Sequence, residues 1–84
     1  MEPIKAAPFP VDAYTYDSMK TVFASIKTAW PDSPIRAAVW NAGFGIWKPF
    51  LEITETEFQE SVNTNVIGPA AFARESILAF KDLE

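Results

Sequence analysis

With 84 residues, no cysteine and no histidine, the chain can hold one small domain at most. It has no route to a disulfide, a thiolate nucleophile, an imidazole base or a His/Cys metal site. Seven basic and eleven acidic residues give a net charge of −4 with no basic cluster, which argues against nucleic acid as a partner. Hydrophobic residues make up 49% and aromatics 14%. A chain of this size can bury only about 60% of its unfolded surface. Such content suits a piece of a larger core, or a subunit that covers itself with a partner; a compact aromatic-rich domain has the same composition. No apolar run approaches the roughly 18 residues that a membrane span needs. The start MEPIKAAPFP carries an early acid and three prolines, and does not read as a signal peptide. A soluble, cytoplasmic protein with no membrane partner is the expectation.

In chain order, the first element is IKAAPFPVD, Ile4 to Asp12. It is short and apolar, and Pro8 and Pro10 cannot donate to a ladder, so it is predicted to be an edge strand or one that ends early. DSMKTVFASIKTAW follows. Met19, Val22, Phe23, Ile26 and Trp30 recur on one side of an amphipathic helix, with Asp17 near its start and the breaker PDSP after it. IRAAVW, Ile35 to Trp40, has strand length and is apolar apart from Arg36, as a central strand covered on both faces would be. GFGIWKPFLEI is a loop punctuated by Gly43, Gly45 and Pro49, in which Phe44 and Trp47 are expected to pack the loop itself. Thr54 and Glu57 then match a capping box ahead of a long helix reaching Phe80. Phe58, Val62, Asn65, Val66, Pro69, Ala73, Ile77 and Phe80 share one side of it, and Ile67, Ala71 and Leu78 form a second stripe. Two apolar stripes predict burial on both sides, one against a sheet and one against a partner element.

The order strand, helix, strand, loop, long helix predicts α/β architecture with a parallel sheet. Two strands are too few for such a sheet, because both edges and both faces would lie open. The segment therefore reads as the middle of a doubly wound, Rossmann-like fold. Ligands in such sheets bind beyond the carboxyl ends of the strands. Asp12 closes the first predicted strand and Asn41-Ala42-Gly43 the second. Small residues admit a ligand close to the backbone, although an ordinary tight turn accounts equally well for the tripeptide alone. Asn65 is the second point of interest. Pro69, four residues on, has no N–H to give to the Asn65 carbonyl, and Gly68 weakens the same turn. The helix is predicted to kink there and to leave Asn65 with a free side-chain amide and a free carbonyl, a place for an ordered water. A broken helix capped by Asn65, with a tolerated proline kink, is the plainer alternative.

Asn41-Ala42-Gly43 after an apolar strand, then Asn65-Val66-Ile67-Gly68 opening a long helix, resembles the short-chain dehydrogenase/reductase family. The resemblance runs from about Ile4 to Phe80, and departs at Trp40, where the family usually has a second asparagine. It implies a single partial NAD(P)-binding Rossmann-like domain over residues 1–84. In the complete enzyme, hydride passes between NAD or NADP and a carbonyl or alcohol carbon of a small-molecule substrate. Asn41, Ala42 and Gly43 would flank the cofactor's riboses, Asp12 would touch the adenine amine, and Ala13 would offer its backbone beside it. Asn65 resembles the asparagine of the family's Asn-Ser-Tyr-Lys catalytic group, whose carbonyl holds a water of the proton relay. The family's glycine-rich phosphate turn cannot be written from Gly43, Gly45 and Gly68, and no serine and Tyr-x-x-x-Lys follow Asn65 within the 84 residues in the family's order. Tyr16 and Lys20 spell that last motif but precede the Asn-Ala-Gly tripeptide, and read as a surface tyrosine and a solvated lysine. The isolated chain is expected neither to bind cofactor well nor to turn over. The rival readings are a non-catalytic module that self-associates through the helix around Ile67, Ala71 and Leu78, as the family commonly dimerises, and a truncated gene product.

Overall fold

The structure is a computed structural model that describes residues 6–83. Ile4 and Lys5, the start of the first predicted strand, lie outside the described residues. Three helices make up its regular structure: α1 (Tyr16–Ala29), α2 (Glu55–Val62) and α3 (Gly68–Lys81). A 3₁₀ turn at Phe50–Glu52 precedes α2, and a π-turn at Asn63–Ile67 joins α2 to α3 without a break.

The helix ends follow from local chemistry. Thr15 caps α1, its Oγ1 accepting from the Ser18 N–H at 3.1 Å, with Asp17 in the first turn and Lys27 in the last. Thr54 and Glu57 form the reciprocal capping box at the start of α2. Thr54 Oγ1 accepts from the Glu57 N–H, and Glu57 Oε1 accepts from the Thr54 N–H, both at 3.1 Å.

α1 packs against α3. Phe23 meets Phe72 edge-on at 5.8 Å, and Phe72 in turn lies 5.5 Å from Trp40. Met19 is the buried residue of α1; Gly68, Ala71 and Ser76 are buried on α3. Ser76 can sit inside because its hydroxyl donates to the Phe72 carbonyl one turn back, at 2.8 Å. Phe9 crosses the end of α1 and packs edge-on against Trp30 at 5.8 Å.

Three expectations need correction. Among the described residues no strand forms: 6–12 and 35–40 run as non-helical chain without a ladder. A strand exists only where another strand accepts its hydrogen bonds, and a single pair would be marginal in any case. The expected burial of the long helix on both sides is not seen either. Its inner face is the one bearing Gly68, Ala71 and Ser76, whereas Phe58, Val66 and Ile77 are exposed. Among the described residues α1 is the one helix that packs on α3 from elsewhere in the chain. Ala71, expected on an outer stripe with Ile67 and Leu78, is 1% exposed and already spent inside the chain. Finally, Trp47 does not bury itself in its loop: its indole edge stands over Gly45, yet the residue is 96% exposed.

The radius of gyration is 16.0 Å, against about 12 Å for a compact domain of this length. No helix is long and apolar enough to cross a membrane among the described residues.

Candidate functional site

The loop after Trp40 and the π-turn meet through one side chain. Asn65 Nδ2 donates to the Phe44 carbonyl at 2.8 Å, and Asn65 Oδ1 accepts the Phe44 N–H at 3.1 Å. A primary amide presents a donor and an acceptor side by side, so it pairs with one residue's N–H and C=O as a neighbouring strand would. Nδ2 also reaches Ser61 Oγ at 3.1 Å. The side-chain amide expected to be free is therefore engaged at both its oxygen and its nitrogen. Gly43 lies at the same contact: a Cβ there would stand 3.9 Å from Asn65 Oδ1.

The π-turn explains how Asn65 arrives at this position. In a regular helix the Pro69 ring would press on the Asn65 carbonyl, and its nitrogen could not donate to it. The helix widens instead, and the Gly68 N–H goes to the Asn63 carbonyl five residues back. The predicted loosening at Asn65 is present, in the form of an inserted residue rather than a break.

Asp12 and Ala13 come to the same region. With Tyr14, Phe44, Asn63 and Thr64 they line a cleft of about 390 Å³. Asn41 and Ala42 are exposed and make no side-chain hydrogen bond among the described residues. Of the six expected site residues, the fold thus joins Gly43 to Asn65 through Phe44, and places Asp12 and Ala13 on the cleft that Phe44 shares. A larger groove of about 430 Å³ between α1 and the end of α3 has no residue in common with this cleft. Lys20 lines that groove, and Tyr16, half exposed, carries the Arg74 guanidinium over its ring at 5.8 Å. The Tyr16/Lys20 pair is accordingly part of the surface, as expected.

The far end of the loop is fixed as well. Lys48 Nζ lies 2.6 Å from Glu57 Oε1, the carboxylate that closes the capping box. The Lys48 contact, followed by the hydrogen bonds from Thr54, holds the Glu57 carboxyl down to about 2. Neither this pair nor the Phe44–Asn65 bridge has a sequence signal, because each joins residues whose proximity the fold alone creates.

A family model described as short chain dehydrogenase matches residues 1–82. The chain belongs to the short chain dehydrogenase family. No curated protein and no solved structure matches it.

Proposed function

We propose that this short chain dehydrogenase chain is the cofactor-facing middle of an NAD(P)-dependent oxidoreductase built on a doubly wound Rossmann-like sheet. NAD or NADP, when bound, supplies or accepts the hydride exchanged with a carbonyl or alcohol carbon. The observation that carries the reading is the two-way hydrogen bond between Asn65 and Phe44, which ties the Asn-Ala-Gly loop to the helix turn bearing the family's asparagine. The side chain of Asn65 is thereby occupied in positioning the loop. Its carbonyl, which Pro69 deprives of an α-helical donor, is the atom left for a relay water.

The residues present fit the nucleoside part of the cofactor. Asp12 offers a carboxylate acceptor to an exocyclic amine on the rim of a cleft, Ala13 offers backbone beside it, and Asn41, Ala42 and Gly43 keep the loop small and open. They do not fit its pyrophosphate. The N-terminus of α1 is closed by Thr15, and that of α2 by Thr54 and the Glu57 carboxylate, which repels a second anion. The 84 residues by themselves are therefore expected to bind NADH weakly and to reduce no carbonyl compound.

Titration with NADH or NADPH, followed by ¹⁵N–¹H spectra, tests this. Shifts are expected at Asp12, Ala13 and Gly43, and the Asp12→Ala variant should lose them. Shifts confined to the α1–α3 groove, or turnover by the isolated chain, would sink the reading.

A further inference from the structure

Trp40 stands where the family usually has an asparagine, directly before the Asn-Ala-Gly loop. Gly68 follows the π-turn, three residues after Asn65. The two are in contact. A Cβ on Gly68 would lie 2.9 Å from both Cη2 and Cζ2 of Trp40, and 3.1 Å from the Asn63 carbonyl oxygen. Gly68 has an ordinary helical φ of −58°, so it is needed here for space and not for conformation.

The indole has little freedom to retreat. Tyr14 packs edge-on against it at 5.4 Å, and Phe72 lies tilted against it at 5.5 Å. Its N–H is buried with no acceptor among the described residues, a cost that shape-fitting contacts must offset. The side chain is therefore held by packing. Besides the packing of Trp40 on Phe72, two contacts join the loop to the turn itself: Trp40 on Gly68, and Phe44 with Asn65. They run in opposite directions along the two segments, 40 to 44 against 68 to 65. Two such points fix the separation of loop and helix and also the angle between them.

We infer that Trp40 is a positioning residue: its indole seats on the bare backbone of Gly68 and sets the distance at which Asn65 spans to Phe44. The wedge stands on packing alone, while its consequence for a cofactor rests on the function proposed above.

Hydrogen exchange at the Phe44 amide reads the wedge directly, because that N–H is the one Asn65 holds. Gly68→Ala should lower its protection about tenfold to a hundredfold, the effect of overpacking a fitted site on a local opening equilibrium. Trp40→Phe lacks the two indole atoms that a new methyl would strike. The double variant Trp40→Phe/Gly68→Ala should therefore regain much of the protection that Gly68→Ala loses. A purely local cost of alanine in the turn would give no such rescue. The inference is overturned if Phe44 is unprotected in the natural chain, if Gly68→Ala leaves its protection unchanged, or if the double variant exchanges as fast as Gly68→Ala. Should Gly68→Ala fail to fold, the double variant decides by the same criterion. NADH titration of the natural chain keeps the two proposals apart: rescue at Phe44 without an NADH response at Gly43 upholds the wedge and sinks the cofactor reading.

Discussion

Asn65 does at one turn what its nearest isosteres cannot. It must donate to the Phe44 carbonyl and accept from the Phe44 N–H at once. Asn65→Asp keeps the acceptor but sets a carboxylate against a carbonyl oxygen. The expected loss in stability at neutral pH is about 1–2 kcal/mol, at least as large as for Asn65→Ala, because a like-polarity contact replaces a hydrogen bond. Below the carboxyl pKa the acid form regains a donor, so thermal melts of Asn65→Asp should draw level with or pass those of Asn65→Ala as the pH falls. A constant gap would count against the two-way bond. The sequence reading places Asn65 correctly at a disturbed turn, since Pro69 and Gly68 lie within four residues of it. It leaves the amide free, because the partner is 21 residues away and no local pattern announces it. Trp40 likewise reads as a departure from the family pattern; its role is visible once Gly68 lies beneath it.

At the scale of the element, the helices were legible and the strands were not. The face Met19, Val22, Phe23, Ile26, Trp30 is the covered side of α1, and the Thr54/Glu57 capping box forms as written. Both signals act within one or two turns. A strand depends on a neighbour for its hydrogen bonds, so IRAAVW has the right composition and, among the described residues, no ladder to join. The long helix differs from its apolar pattern on both sides of the π-turn: Phe58 before it and Ile77 after it are exposed, while Gly68, Ala71 and Ser76 lie inside, because the apolar pattern does not say which face α1 covers. The capping box carries its own prediction. Glu57 has a depressed pKa, near 2, so its contribution is complete above its ordinary value of 4.5 and is lost as the pH falls towards 2. Circular dichroism should show that the helical signal separating the natural chain from Glu57→Gln shrinks across that window and is constant above it. A difference that instead grew on acidification would contradict the assignment.

For the whole molecule, the decisive quantity is uncovered surface. The accessible area is 6806 Å², against about 5,000 Å² for a compact monomer of 9.4 kDa. The excess of roughly 1,800 Å² is about twice what one partner contributes to a standard interface. Val66, Ile77 and Leu78 on the outer side of the long helix are part of it, and among the described residues the buried hydrophobic core amounts to Met19 and Ala71. Two readings share this observation: a piece of a larger sheet-based core, and a module that pairs with its own kind. Light scattering separates them. The first, which we favour, predicts heterogeneous self-association that Ile77→Glu reduces, whereas a single cooperative oligomer would favour the second. Both readings depend on the union of the Asn-Ala-Gly loop with the Asn65 turn. Nuclear Overhauser contacts from the Asn65 side-chain amide protons test it most directly. Cross-peaks to the Gly43 and Phe44 backbone protons are the expected result, and an Asn65 amide that sees only its own helix would contradict the account.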